Sequence, residues 1–184
     1  MDIIDLLIGV IASPQTTIKE ISQNKPIIWA ILINLVIIPL NSLISFHTSP
    51  ETYQGVSQGI VAGVSMLFAF IFLFLTPLLY LLVAKLFGGE WDYWGLFSAI
   101  GFANIINVFI VFFALLAVLL ETQAFIYLFS LISFIWLSIL YIFAIRENAE
   151  ISTGQSVATY ILSYVALIVG LVVIIAIPAI LIFI

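Results

Sequence analysis

Five long stretches of this chain, about residues 26–46, 53–87, 93–119, 123–145 and 153–184, carry no Asp, Glu, Lys, Arg or His deep inside them. About 20 apolar residues in a helix cross a hydrocarbon core of about 30 Å. In lipid every backbone N–H and C=O must be satisfied within the segment, which leaves the α-helix as the form for such runs. The pattern predicts an all-α polytopic membrane protein, a bundle of five transmembrane helices preceded by N-terminal interfacial amphipathic helices. The whole chain is 65% hydrophobic and 7% charged, against about 25% charged residues in a soluble domain. Its 184 residues suffice for one membrane domain.

The same counts exclude several chemistries. There is no Cys, which removes disulfides and thiolate sites, and a single His argues against a His-built metal centre. A net charge of −5 argues against nucleic acid as a partner, and four basic residues make no polybasic lipid patch. No G-x-S-x-G occurs and no aspartate lies within a span. Pumps, proton-coupled transporters and voltage sensors usually hold charges inside their spans, and none falls deep inside these. No enzyme activity, cofactor or metal is expected.

Residues 1–25 read as an interfacial amphipathic segment rather than a signal peptide, because MDIIDLLIGVIA carries Asp2 and Asp5 and no basic start. Twelve residues rise about 18 Å, too short to cross. Ser13-Pro14 opens a second short helix, with Ser13 as N-cap and Pro14 at the first position, and Ile18 and Ile21 are expected to face lipid. Pro39 lies within span one, flanked by Asn34 and Asn41, and Thr76-Pro77 within span two. Ser49-Pro50 can cap span two, and Asp92 span three. A turn at Glu121-Thr122 precedes span four. Ser152 with Gln155 resembles a capping box opening span five, which Pro178 is expected to interrupt. Lys19, Lys25, Lys85 and Arg146 fall on one side if the N-terminus is cytoplasmic, which puts the C-terminus outside.

Three groups of residues are candidates for function. The hinge between spans two and three, with the loop after span four, offers Trp91, Asp92, Trp94, Arg146 and Glu147 as a cytoplasmic partner surface. Asn104 and Asn107 share one face of span three near mid-membrane, and Asn34 and Asn41 flank Pro39 in span one, where amides turn inward to partners. They either line a polar crevice or bond between helices. Small residues recur every fourth position at Gly55, Gly59, Gly63 and at Gly95, Ala99, Ala103, with Ala166 and Gly170 in span five. Close packing over small residues is a main route to helix association in lipid. These ladders are expected to pack within the bundle; otherwise one faces lipid and makes a homodimer. His47 with Glu51 is too small a set for a metal site. Glu90, Asp92, Glu147 and Glu150 could hold a divalent cation, but solvated loop carboxylates are the simpler reading.

The segments SPQTTIKEI, LLVAKLFGGEWDYWGLFSAIGFANIINVF and RENAEISTGQSVATYIL resemble those of the Yip1 domain family of integral membrane proteins. The resemblance covers most of the chain by layout and implies a five-span bundle, a cytoplasmic N-terminus and a non-enzymatic role. Eukaryotic relatives are associated with ER–Golgi vesicle traffic and small prenylated Rab GTPases, and carry a long N-terminal region with a D-L-Y-G-P-like motif. This sequence has about 25 residues there without that motif, and the compact layout is similar to a prokaryotic-type member in the plasma membrane. Relatives often place a proline near where Ile106 and Asn107 stand, and that kink signal is missing here. The expected function is membrane organisation or trafficking-type partner binding, with membrane lipids, other membrane proteins or a second copy as partners. The alternative is a passive conduit or transporter for a small neutral solute, lipid or ion along the Asn-lined crevice.

Overall fold

The computed structural model describes residues 2–48, 57–120, 122 and 124–183. Gly55, Ser49-Pro50, Glu51 and Glu121 therefore lie outside the described residues, and so does the side chain of His47. The described chain is helical throughout: α1 (Ile3–Ala12), α2 (Pro14–Asn24), α3 (Ile27–Thr48), α4 (Gln58–Lys85), α5 (Tyr93–Ala103), α6 (Asn107–Leu119), α7 (Ala124–Ala149) and α8 (Thr153–Phe183). Five segments are long and apolar enough to cross a membrane: Ile27–Ile44, Gly59–Lys85, Tyr93–Ala117, Tyr127–Ala149 and Thr153–Val173. Pro39 and Pro77 sit inside continuous helices, and α8 runs on through position 178, where the sequence had suggested an interruption.

The centre of the bundle is α5. Every residue from Gly95 to Ala103 is buried, with α3, α4, α7 and α2 packed around it and α8 set outside against α4 and α7. Small residues on α5 permit this crowding. A Cβ added at Gly101 would stand 2.6 Å from Cβ of Ala30 and 3.2 Å from its Cα. At Gly95 it would meet Asn148 and Asp92 at 2.5 Å and the Ser22 carbonyl at 2.7 Å. Ala99 and Ala103 are fully buried on the same helix.

The first ladder behaves differently. Among the described residues a Cβ at Gly59 or Gly63 would meet nothing within 4 Å, and the same holds at Gly170. Among those residues these glycines make no close crossing of the kind seen at Gly95 and Gly101. Spacing alone places small residues on one helix face but does not say which face turns inward.

The N-terminal helices also depart from expectation. Ile18 and Ile21 are fully buried rather than lipid-facing. With Thr17 and Ser22 they form the face by which α2 docks on α5 and α7. Seating both isoleucines stabilises the dock by roughly 1.5–3 kcal/mol per side chain. Ser13 precedes Pro14 as foreseen, but its side chain makes no capping bond. α1 packs on α2 through Leu6 and Val10 and leaves Ile4, Ile8 and Ile11 exposed, a stripe suited to the membrane interface.

Span three breaks where no proline stands. Residues Asn104–Ile106 form one turn of 3-10 helix between α5 and α6. Tightening to i→i+3 bonds disturbs the carbonyls before it, and a side chain from α3 attends to one of them.

Candidate functional site

Two polar regions stand out, one at the end of the bundle that gathers the basic residues and one inside it. At the first, α4 ends at Lys85 and the chain turns beneath the end of α7. Gly88 has φ +78, a left-handed conformation that glycine adopts without cost. The Glu90 amide then donates to the Ala149 carbonyl at 2.8 Å, stitching the hinge to α7. Asp92 serves two elements: one carboxylate oxygen caps α5 by accepting from the Gly95 amide at 3.2 Å, and the other pairs with Lys25 Nζ at 2.9 Å. With side chains 44% and 33% exposed, that ion pair contributes at most a few tenths of a kcal/mol, and the cap about 1 kcal/mol.

Arg146 lies over the Phe143 ring at 5.1 Å, donates from Nε to Glu147 at 3.0 Å and reaches Thr153 Oγ1 at 3.3 Å. It thereby holds the start of α8 to the end of α7. Ser152 and Gln155 form the reciprocal capping box, at 2.9 and 3.3 Å. Between α2, the hinge and this loop is a cleft of about 530 Å³ lined by Lys19, Glu90, Asp92, Arg146, Glu147 and Glu150, among others. Trp91 and Trp94 stand outside that cleft with exposed rings, Trp94 edge-on to Tyr93 and Phe97. Asp92, Arg146 and Glu147 are thus brought together, and the tryptophans flank the hinge instead. Among the described residues no group of three or more His, Cys, Asp or Glu is arranged to hold a metal ion.

The second region holds the four asparagines, two of them hydrogen-bonded between helices and all four on the wall of one cleft. Tyr141 donates to Asn104 Oδ1 at 2.7 Å, and Asn104 Nδ2 donates to Asn34 Oδ1 at 2.7 Å. Asn34 Nδ2 donates in turn to the carbonyls of Ala30 at 2.8 Å and Gly101 at 3.0 Å. Asn34 is completely buried and uses both its N–H groups. The Gly101 carbonyl lies in the turn before the 3-10 segment, so a side chain from α3 satisfies backbone at the point where span three changes pitch. Asn41 and Asn107 join Asn34 and Asn104 on the wall of a cleft of about 380 Å³ between α3, α4 and the α5–α6 break. Ser42, Ser65 and Thr76 add hydroxyls, while Ile37, Phe72 and Leu73 supply apolar wall. A smaller cleft of about 220 Å³ toward α8 shares Phe72 and Thr76 with it. Next to these lies a group of tyrosine rings, Tyr80, Tyr141 and Tyr160, with centroids 6.0–6.4 Å apart.

A family model for the Yip1 domain matches residues 8–177. The chain belongs to the Yip1 domain family. No curated protein and no solved structure matches it significantly. The Yip1 match runs from α1 into α8 and takes in both polar regions. Family membership and five apolar helices make this an integral membrane protein. Within the Yip1 domain, residue-by-residue reading overlooked Tyr141, Gly101 and Ala30. A lone tyrosine near a span end carries no periodic signal, and the Gly101–Ala30 contact joins helices far apart in sequence.

Proposed function

We propose that this Yip1 family member is a non-enzymatic membrane-organising module that binds partners through the hinge end of its bundle. Supporting this reading is one observation: exposed Trp91 and Trp94 beside a charged cleft tied together from α2, the hinge and the α7–α8 loop. Aromatic residues with a charged rim are the usual composition of a partner anchor. The module works in a prokaryotic plasma membrane with its N-terminus cytoplasmic and its C-terminus outside, because Lys and Arg near span ends are retained inside. Its partners are lipids and other membrane proteins, and a second copy can meet it along Gly59 and Gly63. A photo-cross-linking residue at position 91 or 94 should capture protein partners in cells. The W91A/W94A/R146A variant should lose them, and full recovery from that variant would overturn the proposal.

A second reading, a passive conduit for a small neutral solute, draws on the convergence of four amides on one cleft. Flux in reconstituted vesicles that falls when Asn104 and Asn107 become Leu would favour it, and unchanged flux would remove it.

A further inference from the structure

The cleft between α3 and α4 contains polar capacity that the protein itself does not use. Asn34 and Asn104 are engaged with each other and with Tyr141. Among the described residues, no hydrogen bond engages the side chain of Asn41 or Asn107, and both line the cleft. At 1.5 Å per residue from Ile27, Asn34 and Asn41 stand about 10 and 21 Å along α3, inside a core of about 30 Å. Amides left bare at that depth are costly, so the cleft needs a hydrogen-bonding occupant.

The features of the cleft define that occupant. Among the described residues the cleft's lining includes no Asp, Glu, Lys, Arg or His, so a net charge would find no counter-charge among them. Amides and hydroxyls offer donors and acceptors together, which suits hydroxyl, ester and amide groups. The polar wall of Asn41 and Asn107 faces apolar Ile37, Phe72 and Leu73, so the space is amphipathic. A volume of about 380 Å³ falls within the range of about 300–1,000 Å³ for small-molecule sites. The helices that form the cleft turn Leu35, Val36, Leu67 and Phe68 outward, placing the bilayer beside it as the source.

We propose that this cleft seats the polar group of an uncharged amphiphile drawn from the bilayer, of the diacylglycerol or ceramide kind. Asn41 and Asn107 hydrogen-bond the headgroup, the Asn34–Asn104–Tyr141 chain fixes the wall behind it, and Ile37, Phe72 and Leu73 meet the first carbons of the chains. The site is separate from the hinge surface and does not depend on any protein partner.

The test is native mass spectrometry of the full chain released from phosphatidylcholine nanodiscs containing dioleoylglycerol or, in parallel, dioleoyl phosphatidic acid. The expected result is retention of dioleoylglycerol by the wild type, reduced about tenfold when both unpaired amides are removed in N41L/N107L. A69F, which occupies cleft space without removing an amide, should reduce it as well, and phosphatidic acid should respond to neither variant. A69F also carries the test alone if N41L/N107L fails to fold. Retention unaffected by the variants, equal variant-sensitive retention of phosphatidic acid, or no dioleoylglycerol above the phosphatidylcholine background (a cleft filled with water only) would each overturn the proposal.

Discussion

Replacing Gly101 by Ala adds one methyl group at the tightest crossing in the bundle. Its Cβ would lie 2.6 Å from Ala30 Cβ, 3.2 Å from Ala30 Cα and 3.3 Å from Asn34 Nδ2. Two methyl carbons rest about 3.5–4.0 Å apart, so α3 and α5 must separate by most of an ångström. Overpacking of this kind costs about 1–3 kcal/mol. Removing a helical glycine returns roughly 0.5–1 kcal/mol. The displacement also pulls on the Asn34 amide, whose bonds to Gly101 and Asn104 are worth about 0.6 kcal/mol each in a membrane protein. The balance is a loss of about 1–3 kcal/mol. The control is G59A, the same change on α4 where the added carbon meets nothing, expected to be neutral or to stabilise by up to about 1 kcal/mol. Reversible unfolding in mixed micelles, followed by tryptophan fluorescence, measures both. If G101A were as stable as wild type, or G59A fell as far as G101A, the assignment of α5 rather than α4 as the close-packed helix would be wrong.

Further predictions follow from the hinge end. I21A should cost about 2–4 kcal/mol because the side chain is fully buried under α2, whereas a lipid-facing isoleucine would cost far less in the same unfolding assay. D92A should lose about 1–1.5 kcal/mol from the α5 cap and the Lys25 pair, while D92N, which keeps a capping oxygen, should lose under about 0.5 kcal/mol. The chain has no native Cys, so single cysteines at positions 85 and 146 report topology directly; an impermeant thiol reagent should reach both from the same side.

What was legible in the sequence is what lipid dictates locally. Uncharged runs become spans because no other backbone form survives there, and Asp92 and the Ser152–Gln155 pair cap their helices through neighbours three residues away. What stayed hidden depends on which protein surface lies opposite. Ile18 and Ile21 meet the criterion for facing lipid equally well as that for facing another helix, since both surroundings are apolar. Gly59 and Gly63 carry the same spacing as Gly95 and Ala99 yet point outward. The break at Asn104–Ile106 needs no proline because the donor that attends the Gly101 carbonyl comes from Asn34, 67 positions away. The four amides were visible as a set, but their division into a bonded pair and a free pair required the fold.

That division has a structural logic. The end of the bundle near the hinge is cross-tied: Glu90 to Ala149, Asp92 to Lys25 and the cap of α5, Arg146 to Thr153, and α2 laid across α5 and α7. The bonded amides Asn34 and Asn104 extend this tied region to the 3-10 turn. Beyond it, α4 exposes Gly59, Ile60, Gly63 and Val64, and the unpaired amides Asn41 and Asn107 face the cleft. A helix break between a rigid half and a sparsely packed half can change pitch without disturbing the tied end. An occupant bonding Asn41 and Asn107 can act on the hinge surface along the hydrogen-bonded line from Asn34 through Asn104 to Tyr141 on α7, beside the direct packing of α6 on α7. N104L should therefore weaken communication between cleft and hinge more than N107L. The measurement, with Trp29 and Trp136 replaced by Phe, is Trp91 and Trp94 fluorescence per molecule of dioleoylglycerol retained in nanodiscs: a response in N107L that exceeds the one in N104L supports the path, and equal responses refute it.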